Sequence, residues 1–281
     1  MKILIFGASG NVGSAIFQAL SGGYETYGTY NQNKPASINE FFWRKLDIAD
    51  ADAASSILNE IQPAVIISSL TGDFLRQTTA HKIMADYLKE TGGRMVFIST
   101  VNVFDGLASG GNDEAALPYP ISQYGSFKQS TEEMLLWELG SSCLIARLPK
   151  IITGKEAEQY AKHIQSGKGF YSNLYFNINS PANVASAVKF CLEANKSGIV
   201  HLTGNSYISD KTLAEKIIKN AGLSVEFETL TFTNESICAA LGCDDVSRLK
   251  PSNDGGFYLT MTNTSKELQK YCEFFIPEEI K

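Results

Sequence analysis

The sequence predicts an α/β protein with a doubly wound parallel sheet, and three observations lead to that prediction. The chain opens on a short apolar run, residues 3–6, which is too short for a helix and suits a strand buried on both faces. A glycine-rich turn follows, and apolar residues at helical spacing come after it. Further apolar runs then alternate with helical patterns, as they do in parallel sheets covered by helices on both faces.

The glycine-rich turn has the features of a phosphate cradle. Gly7 allows a sharp turn, Gly10 allows the backbone to approach a pyrophosphate, and Gly13 allows close packing of helix on strand. The backbone amides at the start of the helix would then face the anion. The spacing is G-x-x-G-x-x-G, so a tight turn between strand and helix that binds no ligand remains the alternative.

Composition narrows the class of protein. The chain has 281 residues, of which 44% are hydrophobic, enough for one large α/β domain or a core domain with a smaller lobe. A net charge of −6 without a basic cluster argues against a nucleic-acid surface. No apolar run approaches the roughly 18 residues of a membrane span, and the first run ends in glycines without a cleavage site, so no signal peptide is predicted.

Cysteine and histidine spacing indicate the compartment and argue against a metal. The five cysteines are odd in number and scattered, with no C-x-x-C pair, which suits reduced thiols in the cytoplasm. The three histidines lie far apart in the sequence, so no metal site is predicted.

The remaining elements follow in order. The predicted strands after the first are Tyr24–Tyr30, Leu46–Ile48, Ala64–Leu70, Met95–Ser99, Ser142–Arg147 and Ile199–Thr203. The predicted helices run from 53 to 61, from Thr79 to Thr91, from Tyr124 to Leu139, from Pro181 onward and from Lys211 to Ala221, and a capping box at Thr264 and Glu267 opens a last one. Residues 1–150, completed by about 181–204, are expected to form a Rossmann domain, and residues 151–180 and 205–281 a smaller lobe.

The end of the second strand bears on the choice of dinucleotide. An acidic residue usually holds the ribose 2′-hydroxyl of NAD there. This chain instead has Asn31, Gln32, Asn33 and Lys34, so a 2′-phosphate would meet no carboxylate and Lys34 could pair with it. The pattern favours NADP over NAD.

Polar and small residues follow several predicted strands. Ligands of doubly wound sheets bind beyond the carboxyl ends of the strands, where these residues would meet. They are the glycine turn, Asp47, Ser68 to Thr71, Ser99 with Thr100, and Leu148 with Pro149.

Tyr124 and Lys128 are candidates for acid–base chemistry. They lie four residues apart on one predicted helix face. A phenol with an ordinary pKa of about 10 is a poor acid–base group at neutral pH, and a nearby ammonium lowers that pKa. Such pairs also occur by chance on exposed helix faces. Here the hydroxyls of Ser99 and Thr100 at a strand end, together with the glycine cradle, favour a catalytic role for the pair.

Four motifs in this order, GASGNVG, Asp47-Ile48, ISTVNVFDG and YGSFK, resemble the extended short-chain dehydrogenase/reductase superfamily. Within it, the chain is most similar to the family of dTDP-4-dehydrorhamnose reductase and its relatives, which include a regulatory beta subunit of methionine adenosyltransferase. The resemblance implies a Rossmann-type sheet with a small C-terminal substrate-binding lobe, and a nucleotide-sugar substrate.

The resemblance also implies roles for single residues. Thr100 would hydrogen-bond the substrate carbonyl, Tyr124 would supply the proton, and Lys128 would hold the nicotinamide ribose and tune Tyr124. Adenine would lie near Asp47 and Ile48. The residues expected to bind NADP or NAD are Gly7, Ser9, Gly10, Asn11, Val12, Gly13, Asn31, Lys34, Asp47, Ile48, Ser68, Ser69, Leu70, Ser99, Tyr124, Lys128, Leu148 and Pro149.

The substrate-facing positions depart from the family pattern. Val101-Asn102 replaces Asp-Tyr, Ser68 stands where Asn is usual, Asn183 stands where Asp is common, and Arg248 to Pro251 only approximates an Arg-Pro element. The leading hypothesis is therefore an NAD(P)-dependent reductase of a 4-keto nucleotide sugar in a polysaccharide precursor pathway. An epimerase or dehydratase, or a cofactor-binding regulatory subunit without turnover, remains an alternative, and a homodimer is compatible with each.

Overall fold

The computed structural model describes residues 1–35, 39–106, 111–204, 207–220, 226–231 and 248–249. Its strands are β1 (Lys2–Phe6), β2 (Glu25–Tyr30), β3 (Trp43–Lys45), β4 (Val65–Ser68), β5 (Arg94–Thr100), β6 (Gly111–Asn112), β7 (Cys143–Leu148), β8 (Lys150–Ile151), β9 (Phe170–Tyr171), β10 (Tyr175–Phe176), β11 (Ile178–Asn179), β12 (Gly198–His201), β13 (Ile208–Ser209), β14 (Thr229–Leu230) and β15 (Arg248–Leu249). Its α-helices are α1 (Asn11–Ser21), α2 (Ala51–Ile61), α3 (Phe74–Thr91), α4 (Gln123–Leu139), α5 (Gly154–Gln165), α6 (Pro181–Glu193) and α7 (Asp210–Asn220).

Seven strands form one parallel sheet in the order β12-β7-β5-β4-β1-β2-β3. The chain runs outward from β1 through β2 to β3, then crosses back to β4 on the other side of β1. This reversal makes the gap between β1 and β4 the switch point of the sheet, the place where ligands of doubly wound folds bind. The predicted Rossmann-type fold class is confirmed.

The central strands are buried because helices cover both faces. The side chains of β1 from Ile3 to Phe6 are fully buried, and those of β4 and β7 are buried along their whole length. Helix α2 contributes Ile57 and Leu58 to one core cluster, and α3 contributes Met84 and Leu88 to the same cluster. An uninterrupted apolar run is what this double coverage requires, as the sequence predicts for β1.

The chain divides into two compact units. Unit 1 comprises residues 1–100, 126–147 and 184–200, and unit 2 comprises residues 101–125, 148–183 and 201–281. In unit 2, helices α5 and α7 pack around a separate core that includes Phe170, Phe176 and Leu213. The division differs from the predicted domain boundaries mainly at residues 101–125, which were expected within the Rossmann domain.

Two predicted elements need correction. The third strand was expected at Leu46–Ile48, but it is Trp43–Lys45, with Trp43 paired to Gly28. The strand is too short to show an alternating pattern, and the Asp47 carboxylate accepts a hydrogen bond from the Ala49 amide as the chain turns toward α2. Helix α3 was expected to begin at Thr79, but it begins at Phe74 because the Asp73 carboxylate accepts a hydrogen bond from the Arg76 amide and caps it.

Several predictions fall on other parts of the chain. The capping box at Thr264 and Glu267, and Lys250 with Pro251, lie outside the described residues. Cys143 and Cys191 are buried, and the other three cysteines lie outside the described residues. Within the ranges given above, no helix is both long and apolar enough to cross a membrane.

Candidate active site

The glycine turn between β1 and α1 is constrained by its neighbours. Gly7 has a φ of +78°, a left-handed conformation that favours glycine, and a Cβ there would lie 2.6 Å from the Ser69 carbonyl oxygen. A Cβ at Gly13 would lie 2.3 Å from the Gly7 carbonyl oxygen. A Cβ at Gly10 would lie 3.4 Å from that same oxygen, an ordinary contact, so the fold itself leaves room for a side chain at Gly10. The turn is therefore shaped by close backbone approach at Gly7 and Gly13.

The start of α1 can receive an anion. Gly10 is its N-cap residue, and a glycine has no side chain with which to cap the first amides of the helix. Such amides carry partial positive charge and bind phosphate groups well. The Gly7 amide is held by the Thr29 hydroxyl at 3.0 Å, a contact that ties the turn to β2.

A cleft of about 220 Å³ opens beside this turn at the carboxyl ends of β1, β2 and β4. Among its lining residues are seven that the sequence predicts: Gly7, Ser9, Gly10, Asn31, Ile48, Ser69 and Leu70. Thr71 was also expected at this edge of the sheet and Asn33 in the stretch after β2, whereas Thr29, Tyr30 and Leu46 had not been predicted as ligand contacts. The cleft brings together the glycine backbone and the helix terminus that a dinucleotide phosphate requires, so the residues fit that group.

Lys34, predicted to meet a 2′-phosphate, does not line the cleft. Its ammonium pairs with the Glu40 carboxylate at 2.5 Å, and both side chains are exposed. The pair raises the pKa of Lys34, mainly through the hydrogen bond with Glu40. Since exposed ion pairs contribute little free energy, Lys34 can exchange Glu40 for a phosphate at small cost.

Asp47 and Ser68 are also absent from the cleft lining. Asp47 is exposed and lies 4.0 Å from the Arg76 guanidinium. Ser68 is buried at the end of β4, where its hydroxyl contacts the His81 ring at 2.7 Å. Asn11, Val12 and Gly13 form the first turn of α1.

Lys128 is a buried cation on α4. Its ammonium donates a hydrogen bond to the Ile98 carbonyl of β5 at 2.9 Å and lies 4.5 Å from the centre of the Phe97 ring. Burial lowers its pKa to about 8, and the Glu132 carboxylate opposes that shift. The ammonium therefore keeps its proton at neutral pH and loses it at a pH just above neutral. It lies against β5, the strand that ends at Thr100.

A second buried network holds α4 to the sheet. Arg147 on β7 forms two-pronged hydrogen bonds with the Glu132 carboxylate, and the Ser99 hydroxyl of β5 donates to the same carboxylate. Arg147 and Glu132 are both almost fully buried. Ser99, predicted to bind the cofactor, thus has its hydroxyl engaged with Glu132.

Tyr124 lies in the first turn of α4, within the part of the chain assigned to unit 2. The Ser122 hydroxyl accepts the Gly125 amide at 2.9 Å and caps the helix, while the Asp105 carboxylate accepts the Ile121 amide and the Ser122 hydroxyl. A Cβ at Gly125 would lie 2.3 Å from the Asn102 carbonyl oxygen. Sequence reasoning missed Asp105 and Ser122 as supports of Tyr124, although the VFDG motif contains the first of them.

The remaining predicted residues lie at strand ends. Thr100 is the last residue of β5 and is buried. Leu148 ends β7, and Pro149 follows it, also buried. Within the residues that the structure covers, no group of three or more histidine, cysteine or acidic side chains is placed to hold a metal ion.

Comparison with known proteins gives relatives that cover up to about nine-tenths of the chain. The chain is 25% identical to dTDP-4-dehydrorhamnose reductase of Aggregatibacter actinomycetemcomitans, over 89% of this chain and 92% of that protein. It is 29% identical to methionine adenosyltransferase 2 subunit beta of Danio rerio, over 48% of this chain and 43% of that protein. A crystal structure of a hypothetical dTDP-4-dehydrorhamnose reductase from Sulfolobus tokodaii superposes with a TM-score of 0.73 at 28% identity, covering 88% of this chain and 92% of that one.

The model of one protein family matches more than half of the chain. It matches residues 73–241, which include α3, β5, α4 and most of unit 2. Together with the glycine cradle and the α4 residues described above, this match shows that the chain belongs to the RmlD substrate-binding-domain family.

Proposed function

We propose that this protein is an NAD(P)-dependent reductase of a 4-keto nucleotide sugar of the dTDP-4-dehydrorhamnose type. The observation that carries the proposal is Lys128: a buried ammonium is costly, and here it is fixed to β5 two residues before Thr100. Family membership and the reductase relative support the same activity. NADP or NAD would bind along the glycine turn, with Gly7, Ser9 and Gly10 against the phosphates.

Each candidate residue has a distinct task in this reaction. Bound NADPH or NADH supplies the hydride that reduces the sugar carbonyl. The Tyr124 hydroxyl donates a proton to the carbonyl oxygen, and the Thr100 hydroxyl donates a hydrogen bond to that oxygen. The Lys128 ammonium stabilises the phenolate that Tyr124 becomes, since a nearby positive charge favours the charged form of a phenol.

The remaining features fit the same reaction. The cysteines are scattered along the sequence without a C-x-x-C pair, which suits a cytoplasmic location. The sugar itself would be recognised by residues of unit 2, where the chain departs from the family pattern at Val101-Asn102 and at Asn183. We therefore propose the reduction of a 4-keto nucleotide sugar without specifying which sugar it is.

Loss of NADPH or NADH absorbance in the presence of dTDP-4-dehydrorhamnose and related keto nucleotide sugars tests the proposal. Oxidation that depends on the sugar supports a reductase. Interconversion of sugars without net cofactor oxidation would instead show an epimerase. Dinucleotide binding with no turnover on any keto sugar would favour the regulatory role that the likeness to methionine adenosyltransferase 2 subunit beta suggests.

A further inference from the structure

A hydrogen-bonded serine–histidine pair is buried beneath Lys128, and the reaction above does not use it. The Ser68 hydroxyl and His81 Nε2 are 2.7 Å apart, and both side chains are almost completely excluded from solvent. Ser68 ends β4, and His81 lies on α3, whose buried residues share a core cluster with Ile66 of β4. Burying a polar pair costs free energy, whereas apolar side chains could fill the same space without that cost. The pair therefore calls for an explanation.

The pair contacts the ring on which Lys128 rests. Phe97 on β5 lies directly opposite Ser68 on β4 in the register of the sheet. The His81 ring meets the Phe97 ring edge to face, with centroids 5.0 Å apart and an angle of 87° between planes. The Lys128 ammonium lies 4.5 Å from the centre of the same ring. One phenyl ring therefore links the pair to the ammonium.

We propose that Ser68 and His81 are positioning residues for Lys128: their hydrogen bond fixes the Phe97 ring, and that ring sets where the ammonium lies. The proposal rests on the proposed function only for the task of Lys128 in catalysis. The geometry itself involves residues of unit 1 alone.

The charges around the ring agree with this arrangement. Burial and the Lys128 ammonium lower the pKa of His81 to about 3, and the Gln77 backbone carbonyl opposes this shift. His81 therefore stays neutral at working pH and does not repel the ammonium. Two further charged groups lie at this place: Glu132 on α4, which raises the pKa of Lys128, and Arg147 on β7, which is paired with Glu132.

Proton NMR of protein carrying labelled lysine tests the proposal without requiring activity. The ε-methylene protons of Lys128, next to the ammonium over the Phe97 face, should resonate upfield of other lysines because of the ring current. Loss of the signal in Lys128→Arg identifies it. Phe97→Leu should remove most of the upfield shift, and the Phe127 ring, whose centre is 5.8 Å from the ammonium, accounts for the remainder. Ser68→Ala and His81→Leu should move the signal toward the ordinary lysine position, and His81→Gln, which keeps a hydrogen-bonding group, should restore much of the shift.

The titration of the same signal gives a second readout. Since the ring face stabilises the ammonium, His81→Leu should lower the titration midpoint of Lys128 by about half a pH unit. Leu88→Ala, a buried substitution two turns further along α3, should lower the melting temperature without moving either the signal or its midpoint.

Two outcomes separate the hypotheses. If Ser68→Ala and His81→Leu lower the melting temperature as Leu88→Ala does, yet leave the Lys128 signal unmoved, the pair is merely structural and the proposal is wrong. If His81→Leu does not fold, Ser68→Ala, which removes only a hydroxyl, decides alone. A wild-type protein that binds no dinucleotide would refute the proposed function, and the NMR result would still decide the role of the pair.

Discussion

The Arg147 guanidinium and the Glu132 carboxylate form a buried ion pair with 2.7 Å between Nη2 and Oε2. Arg147→Met should destabilise the protein by roughly 3–5 kcal/mol, because the Glu132 charge would then be buried without its partner. Lys162→Met, which breaks an exposed ion pair with Glu158 on α5, should cost less than about 1 kcal/mol. Urea unfolding of both variants measures the difference, and equal losses would contradict the importance of the buried pair.

Gly13→Ala should prevent dinucleotide binding. The added methyl group would meet the Gly7 carbonyl oxygen at 2.3 Å, so the glycine turn must open. Gly22→Ala is the matched control, because it lies at the other end of α1 with nothing within 4 Å of the new methyl group. Titration of NADPH by fluorescence compares the two. Unchanged affinity in Gly13→Ala would show that the turn does not bind the phosphates.

Glu40→Gln should strengthen NADPH binding severalfold and leave NADH binding nearly unchanged. The substitution removes the carboxylate that pairs with the Lys34 ammonium and leaves that ammonium available to a 2′-phosphate. Lys34→Ala should weaken NADPH binding and again spare NADH. Calorimetric titration with both cofactors checks the pattern. Equal effects on the two cofactors would show that Lys34 does not meet the 2′-phosphate.

Tyr124→Phe should lower kcat by orders of magnitude while preserving cofactor affinity, because only the proton donor is lost. Tyr119→Phe is a control on an exposed tyrosine of the same stretch, and it should keep turnover. Steady-state kinetics together with NADPH titration separate the two effects. Wild-type turnover in Tyr124→Phe would exclude this phenol as the acid.

Turnover should fall as the pH rises through about 8, where Lys128 loses its proton. Lys128→Met should abolish turnover and stabilise the protein at pH 7 by up to about 3 kcal/mol, because the folded protein no longer buries a charge. The pKa of Lys128 is lower in the folded protein than its ordinary 10.5, so this cost is complete below pH 8 and disappears as the pH rises toward 10.5. Unfolding at pH 7 and pH 10 measures the change, and a destabilised variant at pH 7 would contradict it.

Local patterns predicted the fold and much of the cleft, while contacts across the chain could not be predicted. The glycine turn is a local backbone requirement, and glycine spacing alone indicates it. Thr29, which holds the Gly7 amide, lies 22 residues away, and Ile98, which accepts from Lys128, lies 30 residues away. Nothing in the residue types of Thr29 or Ile98 predicts those pairings, because each depends on how strands and helices pack.

Lys34 shows that the position of a residue in a motif does not predict its partner. Its place after β2 indicated an available cation, but Glu40 lies close enough in space to bind it. A lysine side chain is long and mobile, so its partner is decided by neighbouring charges that a motif does not record.

The order of strands in the sheet has a consequence for how the protein is made. Strand β1 needs β2 on one side and β4 on the other, and the Ser69 carbonyl that confines Gly7 follows β4 directly. During synthesis on the ribosome, β1, β2 and β3 emerge before β4, so one edge of β1 stays unpaired until residues 65–68 leave the ribosome. We therefore expect nascent chains that stop before β4 to need a chaperone. Dinucleotide binding should appear only in longer chains that include β4.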